Sequence, residues 1–544
     1  MKNRIFFLLA ASLLALTSCN GATNPEEKPI NEDGVSNLKA TGVDRGVALT
    51  WKADEGALSY LIYKDDVQIR ETDNNFYTVT NLDNGVKYNL GVAIKGANKI
   101  SAIQYVEGTP DASSNYDPFM DELNTGLEKR IGASKIQRMF TAGYAVNDAS
   151  TNVERFQAAI NKMRNGISQT IAYIGGSITV GETAKAMDDN NHQKGYAYYS
   201  YSWMKEHYDR DYNSKFINAS ISGTDSCIAT VRLEKDVLQY NPNVVFLEFA
   251  ANNSTSSFDQ KSYESLIRRL LLQEQKPAVI LVFSAHDWCA GNINTYMKSM
   301  GSYYHIPMFS FYDAMSQVCG NMAYERTDPI FKFFTDDGTH PNDQGHKLYA
   351  KTMVYTLRNL INSTNTSEYT MPANPWRERY DDYVNFTFIN NETNTSAIKS
   401  LGSYVASDTS HRVLKDTADV EAYQHGWKKT ATNANEPITL EVTCKNFFII
   451  YMAGNPDIGG DPKGKMIASY QNKNNASDKG SLSWQSDRVQ KQSSINVVVD
   501  NGHGWDNPCC IILMDNANVA TYTISLQMEN NSGIATLLAF GYSI

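Results

Sequence analysis

A serine stands directly behind two glycines in Gly175-Gly176-Ser177-Ile178-Thr179, which follows the apolar run Ile171-Ala172-Tyr173-Ile174. Glycines at such a place permit a tight strand-to-helix turn and close backbone approach. The serine hydroxyl can then stand at the carboxyl edge of a sheet as a nucleophile, with backbone N–H groups near a developing oxyanion. Taken alone, Gly-Gly-Ser is also ordinary loop chemistry. No lysine follows at the phosphate-loop position, and the motif is not a G-x-S-x-G elbow. Three further polar motifs accompany it, two of them behind comparable apolar runs and the third in a loop that could reach the same edge. Asn218-Ala219-Ser220-Ile221-Ser222-Gly223-Thr224 follows Phe216-Ile217, and Glu248-Phe249-Ala250-Ala251-Asn252-Asn253 follows Val244–Leu247. Asp336-Asp337-Gly338-Thr339-His340-Pro341-Asn342 precedes a terminal helix. Four such motifs converging on one sheet edge are hard to explain as loop filler.

Between Ile171 and about Ile361, short, nearly continuous apolar runs alternate with amphipathic segments such as 196–208 and 228–238. That pattern predicts a buried parallel sheet with helices on both faces, and ligands in such sheets bind beyond the carboxyl ends of the strands. Phe156, Ile160 and Met163 recur at helical spacing ahead of it. From Val35 to Pro110 the pattern is period two with frequent turns, the mark of a small β-sandwich. Past Met371 alternation returns, in runs such as Phe447–Tyr451 and Thr521–Leu526, and predicts a larger, jelly-roll-like β-sandwich.

The four blocks, in this order, resemble those of the SGNH/GDSL hydrolase family over about residues 150–362. The resemblance implies a flavodoxin-like α/β/α sandwich at the centre of a multidomain chain. It implies that Ser177 is the nucleophile, His340 the general base and Asp337 the group that orients it. The backbone N–H of Ser177, that of Gly223 and the Asn252 amide would form the oxyanion hole. The chemistry is consistent, because a serine attacks an ester poorly unless an imidazole takes its proton, and a carboxylate three residues before the histidine can hold the required tautomer. Two departures stand out. The commoner first block has Asp where Gly176 stands, and the third block usually ends Asn-Asp where this chain has Asn252-Asn253. Asn253 could therefore be the donor in place of Asn252, and Asp336 is the alternative to Asp337. Trp51 and the 82–88 segment ending at Tyr88 resemble a fibronectin type III domain, in which the Trp fills the core and the Tyr makes a corner hydrogen bond.

Other residues are candidates for the surroundings of the site. Asn253, His286 and Trp288 could line a substrate pocket, since His286-Asp287-Trp288 follows a strand of the same sheet. His503-Gly504-Trp505 could contact sugar, and His192 could belong to a rim loop, while His346 reads as a surface or packing residue. The domain boundaries expected are a lipoprotein signal over 1–19, a tether over 20–34 and a fibronectin type III-like domain over 35–110. A connector over 111–150, the hydrolase over 151–365 and a β-sandwich over 366–544 complete the chain.

Lys2 and Arg4, the apolar stretch Ile5–Leu16 and the lipobox Leu16-Thr17-Ser18-Cys19 predict lipidation at Cys19 and an outer-membrane anchor in a bacterial envelope, periplasmic or surface-facing. The chain has 544 residues, enough for several domains, and its 42% hydrophobic and 20% charged residues suit a folded protein. A net charge of −10 argues against a nucleic-acid partner. The other six cysteines form no CxxC or zinc spacing, so neither metal nor cofactor is expected, and most read as buried thiols. Export and flanking β-domains favour an acylated carbohydrate as substrate, with O-acetyl esters first. A lipase or lysophospholipase with a long apolar channel, or a glycan-binding lipoprotein with an inert hydrolase unit, are the alternatives.

Overall fold

The computed structural model describes the chain outside residues 1–27, 115, 119–130, 189, 286–290, 320–332, 409–418, 432–433, 455–459 and 504–506. Cys19 with its lipobox, His286, Asp287, Trp288 and Trp505 lie outside the described residues, as does the side chain of His503. The chain divides into two compact units, residues 1–118 and 119–544.

The first unit contains strands β1 (Ser36–Val43), β2 (Gly46–Lys52), β3 (Ser59–Lys64), β4 (Val67–Thr72), β5 (Phe76–Thr80), β6 (Tyr88–Lys95) and β7 (Gln104–Gly108). They form a three-stranded sheet, β1-β2-β5, and a four-stranded sheet, β4-β3-β6-β7. Alternate residues of both sheets, among them Leu49, Trp51, Tyr60, Ile62 and Val92, meet in one core. The Tyr88 hydroxyl accepts a hydrogen bond from the Asp83 N–H at 3.0 Å, pinning the turn that leads into β6.

The second unit is built on strands β8 (Thr170–Gly175), β9 (Lys215–Asn218), β10 (Val244–Glu248), β11 (Ala278–Phe283) and β12 (Met308–Ser310). All are parallel, in the order β12-β11-β10-β8-β9. Helices α1 (Ala133–Tyr144), α2 (Glu154–Arg164), α3 (Ser177–Val180), α4 (Tyr196–Tyr208), α5 (Ser226–Asp236), α6 (Ser257–Leu271), α7 (Gly291–Tyr303), α8 (Phe311–Cys319) and α9 (Asp343–Ile361) accompany it. One sheet face, with Ile174, Leu247 and Leu281, packs on α5 and α6. On the other, Tyr173 stacks on Phe246 and meets Tyr196 of α4 edge-on. Burial on both faces is why these strands read as unbroken apolar runs. Phe156, Ile160 and Met163 are buried on α2, as their spacing predicts. The segment 111–150, expected to be a connector, instead contains α1, whose buried Ile136, Met139, Phe140 and Gly143 recur at helical spacing, with Gly143 against Thr352, Ser310 and Phe309.

The C-terminal strands differ from the expected two-layer jelly roll. Nine of them, β13 (Phe386–Ile389), β14 (Ile398–Ser400), β15 (Val405–Asp408), β16 (His425–Lys429), β17 (Ile438–Ala453), β18 (Lys465–Asn472), β19 (Lys479–Gln485), β22 (Asn507–Met528) and β23 (Ala535–Ser543), join into one antiparallel sheet, in which β17 and β22 are long, paired neighbours. Bulges at Cys444/Asn446 and Phe447/Phe448 bend them, so the sheet curves around a core that includes Trp427, Phe447, Tyr451 and Trp484. A separate hairpin pairs β20 (Arg488–Ser494) with β21 (Val497–His503). The opposite sheet face carries Phe448, Ile450, Ile512 and Leu538, which share a second core with Ile221, Ile228, Val231 and Phe258 of the parallel-sheet region. Residues 366–544 are therefore fused to the parallel-sheet layers through buried apolar surface. Lys261 of α6 reinforces the junction, 3.0 Å from Asp515 and 3.7 Å from Asp382. No helix among the described residues is long and apolar enough to cross a membrane. Cys227, Cys444, Cys509 and Cys510 are free thiols, and the adjacent pair is not bridged.

Candidate active site

Strand β8 ends at Gly175, and the chain turns at once into the single-turn helix α3, whose first residue is Ser177. Both glycines are required by crowding. A Cβ on Gly175 would lie 2.5 Å from the Thr179 hydroxyl and 2.6 Å from the Glu248 carbonyl, and one on Gly176 would collide with the Asn252 side-chain oxygen. This supplies a physical reason for glycine at position 176.

His340 and Asp337 sit in the loop before α9, which is closed by an isolated bridge between Thr335 and Pro341. Gly338 takes a φ of +90°, which favours glycine, and its N–H donates to the Thr335 hydroxyl at 3.0 Å. The Asp337 carboxylate accepts from the backbone N–H groups of Thr339 and His340, both at 2.8 Å, and from the Thr335 hydroxyl at 3.1 Å. Its other oxygen lies 2.7 Å from His340 Nδ1. His340 Nε2 lies 2.8 Å from Ser177 Oγ, across 163 residues of sequence. With a carboxylate at Nδ1, the neutral ring carries its proton there and Nε2 is left to accept from serine. Partial burial raises the Asp337 pKa, but the His340 ring and the two backbone donors outweigh it, holding the carboxyl down at about 2. Asp336 accepts from the Asn342 amide instead and makes no contact with the imidazole.

The loops after β9 and β10 flank this pair. Gly223 has a φ of +72°. Among the described residues, neither its N–H nor that of Ser177 makes a hydrogen bond. Asn252 rests its side chain on Gly176, with Oδ1 buried and unpartnered. Asn253 points the other way. Its Oδ1 accepts from the Ser226 N–H at 2.9 Å, and its Nδ2 donates to the Ser226 hydroxyl at 2.9 Å and the Tyr296 hydroxyl at 3.1 Å. Buried and saturated, it does not line a substrate pocket as expected, nor can it replace Asn252 as a donor.

The motifs assign no catalytic role to several residues near the site. Glu182 Oε2 lies 3.8 Å from His340 Nε2, and its other oxygen accepts from the Ser222 hydroxyl. Glu248, buried at the end of β10, accepts from Ser284 at 2.5 Å, from the Ala250 N–H at 3.0 Å and from Thr179 of α3 at 3.1 Å. Burial raises its pKa against these donors. His346 is fully buried: its Nδ1 accepts from the Tyr196 N–H at 3.3 Å and its Nε2 donates to the Glu182 carbonyl at 3.1 Å. Burial lowers its pKa to about 4, so it packs as a neutral ring. His192 is buried between Asp188, at 2.9 Å, and Asp419, at 2.7 Å. Asp419 also accepts from the N–H of Asn218, whose amide holds the Thr179 carbonyl at 2.9 Å.

Residues 173–348 match the GDSL-like Lipase/Acylhydrolase family. A search of curated proteins returned no match. Among solved structures, the fold resembles a two-domain esterase active on acetylated mannans, co-crystallized with mannopentaose. The two align over 74% of this chain and 97% of the other at 22% identity, with a TM-score of 0.57. An acetyl xylan esterase aligns over 34% of this chain and 98% of its own at 21% identity, with a TM-score of 0.27. An Fn3-like protein from Clostridium thermocellum aligns over 15% of this chain and 96% of its own at 20% identity, with a TM-score of 0.14. The parallel sheet, Ser177 and the His340 loop thus lie within the segment that matches the GDSL-like family, set within a longer chain.

Proposed function

We propose that this protein is a serine esterase that removes O-acyl groups, chiefly O-acetyl, from a polysaccharide. The observation that carries the reading is the continuous relay from Ser177 Oγ to His340 Nε2 and from His340 Nδ1 to Asp337. Ser177 Oγ bonds to the ester carbonyl carbon as His340 Nε2 takes its proton. The N–H groups of Ser177 and Gly223 and the Asn252 amide receive the oxyanion. Collapse breaks the bond to the sugar oxygen, and His340 returns the proton to that leaving group. Water then attacks the acyl-serine with the same base, releasing the carboxylic acid and regenerating Ser177. Asp337 stays ionised throughout and stabilises the imidazolium.

A carbohydrate substrate is supported by the esterase of similar fold, which acts on acetylated mannans. The lipobox at Cys19 supports a lipid anchor in a bacterial envelope. The test is acetate release from acetylated mannan, xylan, pectin and mucin-type sialic acids, with Ser177→Ala as control. Release from one or two polymers, abolished by Ser177→Ala in a folded protein, is expected. Activity confined to long-chain lipid esters would refute the polysaccharide substrate, and persistence in Ser177→Ala would refute the nucleophile.

A further inference from the structure

The two loops assigned to oxyanion binding are not neighbours in the sheet. They leave β9 and β10, and β8 runs between those strands. Parallel pairing alone cannot fix their separation, so something must tie them across the end of β8. Two ties exist. From within, Asn253 bonds Ser226 through its side chain. From outside, the ammonium of Lys491, on β20 of the C-terminal region, lies 2.9 Å from Asp225 Oδ2 and 3.4 Å from the Asn252 carbonyl.

We propose that Lys491 is a positioning residue for the esterase reaction, reaching from the appended β-region to hold the Gly223 and Asn252 loops at the spacing an oxyanion needs. The proposal rests on the esterase reading above. Asp225 lies two residues beyond Gly223. Its second oxygen caps α5 through the N–H groups of Cys227 and Ile228, so the ammonium acts on a fixed anchor and not on a loose side chain. Asp225 and Asp259 are 8% and 4% exposed. Two buried carboxylates beside one another are costly unless a cation faces them. Asp259 in turn accepts from the N–H and hydroxyl of Ser254, two residues past Asn252, at 2.6 and 2.5 Å. The same charge cluster therefore grips both loops. The hairpin bearing Lys491 is itself secured, because Gln492 bonds the carbonyl and the N–H of Ile512 on β22. Asn507, the first residue of β22, lies against Gly223, where a Cβ would strike its amide.

The test uses the full chain with Lys491→Met, Lys491→Arg and, as a control, Lys261→Met. The control breaks another ion pair between hydrolase and β-region, to Asp515 and Asp382, with no contact to either loop. The readouts are kcat and KM for a short-chain aryl acetate, thermal midpoint, and amide exchange in residues 219–226 and 249–256. Lys491→Met should lower kcat about tenfold with KM within about threefold, because the tie acts on the transition state while Asn253 still holds the inner side. Lys491→Arg should recover most of the loss, and exchange should rise in both peptides for Lys491→Met alone. Lys261→Met should lower the midpoint without changing kcat. An unchanged kcat in Lys491→Met, an equal fall in Lys261→Met, or a rise in KM alone would overturn the proposal. If Lys491→Met unfolds, Lys491→Gln against Lys491→Arg makes the same comparison. A wild-type chain inactive on aryl acetate would overturn the esterase reading, and loop exchange would still decide whether Lys491 holds the loops.

Discussion

Replacing Asp337 by Asn changes one atom and should do more harm than removing the side chain. Asp337 Oδ1 accepts three hydrogen bonds, two of them from backbone N–H groups at 2.8 Å, while Oδ2 faces His340 Nδ1 at 2.7 Å. In the variant the amide must choose an orientation. Turning its NH2 toward the backbone donors would forfeit two hydrogen bonds, about 1–3 kcal/mol at the usual net value. The carbonyl oxygen therefore stays on those donors and the NH2 faces Nδ1. Nδ1 must then accept, the ring proton moves to Nε2, and Nε2 can no longer take the Ser177 proton. In a serine protease the equivalent change costs about 10⁴-fold in kcat. Here the aspartate side chain is 45% exposed, so water competes, and a loss of about 10³-fold is expected. Asp337→Ala leaves the ring free to adopt either tautomer and should lose about 10²-fold. Initial rates on a short-chain aryl acetate, with a thermal melt to verify folding, give the comparison. An Asn variant within tenfold of wild type, or clearly better than Ala, would refute the tautomer argument. Because Asp337 is held down at about 2, its carboxylate persists through mild acid. Any stability it contributes is present above its unfolded value of about 3.9 and is lost only as pH falls toward 2.

Three other outcomes follow from the packing. Gly176→Ala should push Asn252 away from the site and lower kcat about 10²-fold or more, with a modest fall in stability; full activity would show that Asn252 does not serve the oxyanion. Phe448→Ala should cost about 3–5 kcal/mol in denaturant unfolding, because the ring is fully buried against Tyr383 and Phe386 in the core shared with the parallel-sheet region. A loss below about 1 kcal/mol would show that the shared core contributes little. Burial opposes protonation of His192, but Asp419 and Asp188 overcome it and raise its pKa. The stability from this contact is therefore complete below about 6.5 and declines as pH rises through the folded value. The difference in thermal midpoint between wild type and His192→Gln should shrink from pH 6 to pH 9, and a constant difference would refute the charged pairing.

Sequence by itself determined the parts whose chemistry is local. Unbroken apolar strands mark a sheet buried on both faces, and three of the four polar motifs follow a strand because ligands gather at carboxyl ends. The i, i+3 spacing of Asp337 and His340 marks them as a pair within one turn, and the glycines before Ser177 mark a sharp exit from β8. Tertiary structure decided everything that depends on side-chain direction in irregular loops or on distant arrivals. Asn252 and Asn253 are indistinguishable as residue types, yet one rests on Gly176 and the other is consumed by Ser226 and Tyr296. The apolar spacing of α1 lay in a segment too polar overall to stand out from a connector. Alternation along β17 and β22 marked strands but not their pairing, so one bent sheet looked the same as two layers. Lys491 lies 239 residues beyond Asn252, on a hairpin with no motif of its own. Its ammonium reaches the Gly223 and Asn252 loops only because Phe448, Ile450 and Leu538 bury against the parallel-sheet region, and no local periodicity encodes which two surfaces will share a core.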